Sequence, residues 1–290
     1  MAASREIRLL GATRIIWPDG SIASALPEKC KALLCLLARR PGTRVARERI
    51  AGLLWPDSDH QRARTNLRQC LHKLRPHLGP EIICSTATDL RLEASQVDTD
   101  VGALENAVKS EDADLVLAAS RLVDGDFGAD IDVESEPLQE WLEAERAHIR
   151  EVATTVALRA VAIHEAASEH QTALRVALSA LKLDDIREDV HRAVMRAHLA
   201  LGNRTAAIEH YRKLREHLRD ELGADPDAET DSLLEVAVGV YAAVEPERQS
   251  TSEEGTAAFA EAPAIAIAQF EQLSPTPIPV SYTHLTLPTS

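Results

Sequence analysis

Two segments of the chain repeat each other at an offset of 34 residues, and no other sequence feature constrains the fold as much. "SEHQTALRVALSAL" (168–181) aligns with "GNRTAAIEHYRKLR" (202–215), with small residues at Ala173 and Ala207. Tetratricopeptide repeats have this period; in them helix pairs stack, and small residues let the helices approach closely. We therefore predict a helical array in which Ala173 and Ala207 lie at tight helix crossings.

The region around this repeat reads as helix after helix. Aromatic residues make up only 3% of the chain and hydrophobic residues 45%, so the core must consist mainly of Ala, Leu, Val and Ile, which suits close-packed helices. The predicted helices cover 100–109, 113–122, 137–168, 171–183, 187–201, 204–222 and 228–243. The acidic segment 123–136 lacks the residue order of a calcium-binding EF-hand, so we interpret it as a solvated loop.

The N-terminal part follows a different pattern. Residues 6–24 are predicted to form short strands, 27–39 a helix with Pro27 at its first position, and 46–54 a second helix. A third helix follows, and "EIICS" and "LRLEA" then predict a hairpin. This order is typical of a winged helix-turn-helix. The predicted fold is therefore mainly α, with an N-terminal winged helix-turn-helix (α+β) followed by an all-α, tetratricopeptide-like domain.

Charge is divided unequally between these two parts. The formal net charge is -14, yet residues 1–92 hold 16 Lys and Arg against 8 Asp and Glu, and the rest holds 16 against 38. Much of the positive charge lies in "DSDHQRARTNLRQCLHKLRPHLG" (57–79). A basic part joined to an acidic one indicates different partners, and the basic part is the candidate for binding a polyanion.

The third helix has three distinct surfaces on a helical wheel. The predicted buried seam consists of Ala63, Leu67, Cys70, Leu71 and Leu74. The opposite ridge consists of Arg62, Thr65, Gln69 and His72, which we predict to read base edges in a major groove. The predicted phosphate contacts on the two shoulders are Arg64, Arg68 and Arg75 on one side and Asn66 and Lys73 on the other. The alternative is an ordinary solvated basic face.

Residues 30–79 resemble the DNA-binding domain of SARP-type (antibiotic regulatory protein) activators, above all in "LLWPD" followed by "ARTNLRQCLHKLR". The resemblance implies a winged helix of the response-regulator type with residues 60–76 as its recognition helix. Ala46 stands where the family usually has a Ser or Thr helix cap, and Asp89 and Leu90 stand where its wing usually has Gly-Tyr. Arg91 is a further candidate phosphate contact in the wing.

The helical part is similar to the bacterial transcriptional activator domain that follows the winged helix in these regulators, through "VDTDVGALENAV", "EPLQEWLEAERAHIR" and "YRKLREHLRDELGADPDAETDSLLEVA". The resemblance implies promoter DNA and RNA polymerase as partners, with paired copies on direct repeats. The expected domains are 1–96 (winged helix) and 97–243 (activator domain).

The C-terminal tail has a different composition. Residues 244–262 are predicted to be a linker. Residues 263–279 are expected to be the truncated start of a further domain, because "PAIAIAQFEQLS" is similar to the first strand of a TolB-like domain. Residues 280–290 can be written in codons that resemble a sequencing adapter, so we interpret them as an adapter-derived tail on a naturally longer chain.

Other functions find little support in the sequence. Phosphate-binding glycine loops and HExxH are absent, so an enzyme is not expected, and neither a cofactor nor a metal is predicted. Histidines at 191/198 and 210/217 share helix faces, which suggests either a metal or pH site or simply polar faces. Scattered cysteines and the lack of a long apolar run favour a cytoplasmic location without a membrane partner.

We therefore expect a sequence-specific DNA-binding transcriptional regulator, an activator that recruits RNA polymerase. Two alternatives stay open: a helical protein-interaction adaptor that uses the winged helix as an interaction module, and a regulatory stub of a longer sensor or cyclase-like protein.

Overall fold

The computed structural model describes residues 4–23, 26–79 and 81–242. Its N-terminal part contains two small sheets and three helices, as the winged-helix prediction requires. The elements are β1 (Arg5–Arg8), β2 (Arg14–Ile16), β3 (Ile22–Ala23), α1 (Glu28–Ala38), β4 (Val45–Ala46), α2 (Arg47–Leu54), α3 (His60–Leu78), β5 (Ile83–Ser85), β6 (Asp89–Leu92) and β7 (Val97–Thr99). One sheet has the order β3-β2-β1-β7, and the other, which includes the wing hairpin, has the order β4-β6-β5.

The rest of the described chain is helical. The helices are α4 (Asp100–Lys109), α5 (Ala113–Ser120), α6 (Glu136–Ala166), α7 (His170–Ala180), α8 (Glu188–Ala200), α9 (Arg204–Leu222) and α10 (Ala228–Ala242). Each begins and ends within three residues of its predicted bounds, which confirms the mainly α fold class. The predictions missed strands β4 and β7, and they placed Pro27 inside α1, whereas it occupies the N-cap position before the helix.

The 34-residue repeat is confirmed in the backbone. The α6–α7 turn and the α8–α9 turn have left-handed residues at equivalent positions, Ser168 with φ 60° and Gly202 with φ 76°. The next amide in each turn donates to a carbonyl five residues back, Glu169 to His164 and Asn203 to His198, both at 2.8 Å. Ala173 and Ala207 are fully buried, as the stacking of helix pairs requires.

One hydrophobic core runs through both parts of the described chain, from Ile7 in β1 to Ala160 in α6. Strand β7 pairs in parallel with β1, and the isolated bridge between Leu10 and Phe127 adds a second connection. The expected boundary at 96/97 thus falls inside a sheet and a continuous core, and the division into separate domains stays a prediction. The expected linker, further domain start and adapter-derived tail lie outside the described residues.

The histidines expected to share helix faces meet between α8 and α9. The Nδ1 of His191 lies 2.9 Å from Nε2 of His210, and the Nε2 of His191 lies 2.9 Å from the carbonyl oxygen of Asp185. A carbonyl only accepts, so His191 donates through Nε2 and its Nδ1 accepts from His210. Burial lowers the pKa of both rings, which favours their neutral forms in this arrangement. Burial, and after it the charge of the neighbouring His191, lowers the pKa of His210 to about 4.

Within residues 4–23, 26–79 and 81–242, no cluster of three or more His, Cys, Asp or Glu side chains could hold a metal ion. No helix in the same ranges is long and apolar enough to cross a membrane.

Enlarging Ala173 or Ala207 to Leu should overpack the helix crossings and lower the free energy of unfolding by roughly 1–3 kcal/mol. Ala162→Leu is the matched control, because Ala162 is an exposed residue of α6. Urea denaturation of the three variants measures the difference. Equal stability of all three would show that the buried alanines do not limit helix approach.

The histidine pair predicts acid sensitivity. A histidine in the unfolded chain has a pKa near 6.5. Between about pH 6.5 and 4, His210 is therefore protonated in the unfolded state but still neutral in the folded state. The contribution of His210 to the free energy of unfolding is complete above pH 6.5 and is lost as the pH falls towards 4. It amounts to about 2 kcal/mol after allowance for partial exposure of the ring.

His210→Gln keeps a donor for His191 but cannot titrate, so its free energy of unfolding should fall less steeply between pH 7 and 4. Denaturant titrations at several pH values measure the slope, with His60→Gln, at an exposed site, as the control. Identical slopes in the parent and His210→Gln would contradict the assignment.

Candidate nucleic-acid interface

Helix α3 is anchored by the seam predicted for it. Ala63, Leu67, Cys70, Leu71 and Leu74 are all buried. The Asp59 side chain caps the helix by accepting a hydrogen bond from the Arg62 amide at 2.8 Å, and Gly79 follows its last residue. A cap of this kind stabilises a helix by about 1 kcal/mol. The seam and the cap together decide which side of α3 faces outward.

The predicted ridge faces solvent. Arg62, Thr65, Gln69 and His72 are all exposed. The Thr65 hydroxyl donates to the Gln61 carbonyl at 3.0 Å, which leaves its oxygen free only as an acceptor. Arg62 and Gln69 make no side-chain hydrogen bond within the described ranges, so their donors are available to a ligand. This surface has the groups that paired hydrogen bonding to base edges needs.

The predicted phosphate contacts divide into three groups. Arg64, Arg68 and Arg75 are exposed on the shoulder of α3 that faces α2 and the wing. Lys73 is exposed on the other shoulder, where Asn66 is half-buried. Arg91 lies in β6 and forms an ion pair with Glu93 at 3.3 Å, so this pair would have to open before Arg91 could meet a phosphate.

A groove of about 520 Å³ separates the first of these shoulders from the wing. Its walls include His60, Arg64 and Arg68 from α3, Arg47 from α2 and the wing turn at 86–89. Arg47 spans the groove floor: its Nε donates to the Thr86 carbonyl at 3.0 Å and its Nη2 to the Ser85 hydroxyl at 2.6 Å. The wing turn is thereby attached to α2.

Positive charges surround Arg47 in this groove. Burial lowers the pKa of Arg47 first, and the positive charges of Arg68 and Arg75 lower it further. None of Arg47, Arg64, Arg68 and Arg75 forms an ion pair with a carboxylate in the described part of the chain. An anionic ligand in the groove would relieve this repulsion.

Asp89 belongs to the regular part of the wing hairpin. It replaces a family glycine but does not adopt a left-handed conformation, because it is the first residue of β6 and pairs with Ala46. Its carboxylate accepts a hydrogen bond from the Thr88 hydroxyl at 2.8 Å, and its amide donates to Thr86 Oγ1 at 2.9 Å. The acid is therefore part of the hydrogen-bond network of the wing turn.

Arg47 is the site residue that sequence reasoning missed. It lies outside the predicted third helix, and its role depends on the pairing of β4 with β6, which brings the wing to the start of α2. The local signal is an arginine at the first position of a short helix, which by itself does not indicate a contact with a hairpin 40 residues away.

The three helices with their wing, followed by the stacked helices, define the class: a winged-helix protein with a tetratricopeptide-like helical array. The sequence model of the bacterial transcriptional activator domain matches residues 88–236, which is 149 of 290 residues. The chain therefore belongs to the bacterial transcriptional activator domain family, and the resemblance to SARP-type regulators is confirmed.

The structure is also similar to a solved structure from Mycobacterium tuberculosis, EmbR in complex with a low-affinity phosphopeptide, with a TM-score of 0.61 and 18% sequence identity. The match covers 81% of this chain and 65% of the EmbR chain, so this chain spans just under two thirds of its length. At this identity the match shows a common fold. No curated protein sequence matches the chain.

Replacing Arg47 with Met should loosen the wing turn, because the two side-chain hydrogen bonds to residues 85 and 86 are lost while the backbone bond to the Thr88 carbonyl remains. Amides of the turn at 86–88 should then exchange with deuterated solvent faster than in the parent, as measured by mass spectrometry. Arg49→Met, at an exposed position of the same helix, is the control. Unchanged exchange in Arg47→Met would mean that the hairpin and the backbone bond alone hold the turn.

Proposed function

We propose that the chain binds double-stranded promoter DNA sequence-specifically through α3 and the wing, and that residues 97–242 act on RNA polymerase. The observation that carries the proposal is the arginine cluster of the groove between α3 and the wing. Arg47, Arg64 and Arg68 of this groove, with Arg75 nearby on α3, form no ion pair with a carboxylate of the described residues, and together they make a surface whose natural ligand is a polyanion.

The charge of the rest of the chain also favours an orientation in which α3 faces the DNA. Between residues 97 and 242 there are 31 acidic and 15 basic residues, so this part repels the phosphate backbone. DNA approaching the protein is directed to α3. The ridge would then enter the major groove, and the shoulders and the wing would lie against phosphates.

Activation of transcription requires a contact with a protein in addition to the contact with DNA. Membership of the family supports RNA polymerase as that protein. Helical arrays of the tetratricopeptide kind present extended surfaces to other proteins. We propose that this part recruits the polymerase and that two copies bind direct repeats next to each other, as the resemblance implies. A purified transcription assay on a template with one or two copies of the selected site tests both points.

Binding-site selection with the whole chain, followed by titration of the selected duplex, tests DNA recognition. Gln69→Ala and Arg62→Ala should each weaken binding to the selected site by about 1–3 kcal/mol and relax the preference at one base position. Arg64→Gln and Arg68→Gln should weaken specific and non-specific DNA alike and lower the slope of log K against log salt by about one each.

Arg212→Gln is the matched control, because Arg212 is an exposed arginine of α9 on the acidic part. Binding that is insensitive to salt would favour the adaptor alternative. An unchanged base preference in both Gln69→Ala and Arg62→Ala would refute the assignment of the ridge to the major groove.

A further inference from the structure

A second cationic groove lies on the acidic part of the chain, between the end of α5, the middle of α6 and α7. Its cavity is about 390 Å³, and its walls include Arg121, His164, Thr172, Arg175, Val176 and Leu183. The groove continues across Thr172, Arg175 and Ser179 into a second, shallower depression that Leu178 and Lys182 also line. The two depressions together form an elongated surface along α7.

The charge of this surface is opposite to that of its surroundings. Neither depression has an Asp or Glu among its described lining residues, although acidic residues outnumber basic ones twofold between 97 and 242. Three cations face it: Arg121, Arg175 and Lys182. In the part of the chain that the structure describes, none of them forms an ion pair or donates a side-chain hydrogen bond.

Several other arginines of the same part are engaged with carboxylates, although Arg204 and Arg212 in α9 form no ion pair within the described residues. Arg150 binds Asp126 at 2.8 Å, Arg187 binds Asp189 at 2.9 Å, and Arg192 binds Asp227 at 2.7 Å. Because carboxylates are abundant in this part of the chain, cations that line one groove and form no ion pair there remain available to bind an external anion.

The residues that line the groove also indicate which apolar groups a ligand should have, in addition to its charge. Ala157, Val176, Ala180 and Leu183 provide an apolar floor. His164 is 8% exposed, and its Nδ1 lies 2.7 Å from the Glu169 carboxylate, which fixes the orientation of the ring. A matching ligand combines an aliphatic group with several carboxylates.

The dimensions fit an extended peptide. Arg175 and Lys182 are seven residues apart along α7 and its final turn, about 10 Å at the rise of a helix. In an extended polyproline II helix, residues three apart lie on the same side and are separated by about 9 Å. Two acidic side chains at that spacing would reach both cations.

We propose that this groove, which we name the α7 groove, binds an acidic, extended peptide segment of a protein partner, with Arg121, Arg175 and Lys182 receiving its carboxylates. The inference rests on the proposed protein-contact function of residues 97–242 and names the surface and the chemistry of its partner. It does not depend on DNA binding by α3.

The test uses the whole chain and a fluorescein-labelled peptide that alternates two glutamates with one leucine. Fluorescence anisotropy should show saturable binding, and Arg121→Gln with Arg175→Gln should raise the Kd roughly tenfold or more. Arg204→Gln with Arg212→Gln is the matched control: it removes two cations from α9 that also form no ion pair within the described residues. The control should bind like the parent, and a peptide with glutamine in place of glutamate should not bind.

Three results would overturn the proposal. The first is the absence of saturable binding of the acidic peptide to the parent. The second is an equal loss in the α7-groove variant and the α9 control, which would reflect net charge alone. The third is displacement of the peptide by duplex DNA with unchanged affinity in the α7-groove variant, which would place the peptide on α3. Since the assay contains no promoter, failure of DNA recognition would leave its result unaffected.

Discussion

The buried contacts between β1, α1 and the first helices of the acidic part determine how the described part of the chain, residues 4–242, is arranged. The Asp100 carboxylate is 1% exposed and accepts hydrogen bonds from the amides of Leu9 and Leu10 at 2.8–3.0 Å. Burial raises its pKa, and these backbone donors act in the opposite direction by stabilising the charged form. A charge held in this way specifies position, because any displacement would leave it without partners.

Arg39 makes the corresponding contact from α1. Its side chain is 3% exposed and binds Glu105 at 2.8 Å and Glu145 at 2.6 Å, one carboxylate from α4 and one from α6. Buried pairs of this kind contribute little net stability compared with apolar packing, but losing one partner costs several kcal/mol. The orientation of the winged helix relative to the helical array is therefore fixed, and a protein bound to the array would lie at a defined place relative to α3.

The wing shows how tertiary contacts compensate for a weak local signal. Ala46 cannot cap α2, and the structure has no side-chain hydrogen bond at that position. Instead, the Arg47 amide donates to the Thr88 carbonyl at 2.8 Å, and Ala46 pairs with Asp89 across β4 and β6. The wing thus satisfies a donor at the start of α2. The same contact brings Arg47 into the cationic groove, so stability and recognition depend on one connection.

The sequence by itself determined the helices, the buried seam of α3, its exposed ridge and the 34-residue repeat. All of these follow from the spacing of apolar and small residues along a single helix or between adjacent ones, a local property. The exposure of Arg62 and Gln69 could be predicted for the same reason, since it is the complement of the seam. Their contact with bases remains a prediction.

Only the tertiary structure decided which residues distant in sequence come together. Strands β4 and β7 have two and three residues, too few for an alternating pattern, and they form because partner strands offer unpaired backbone groups. The attachment of Arg47 to the wing and the convergence of Arg121, Arg175 and Lys182 on the α7 groove likewise depend on how elements pack. Pairing between distant segments is set by the geometry of the whole core, which no window of the sequence contains.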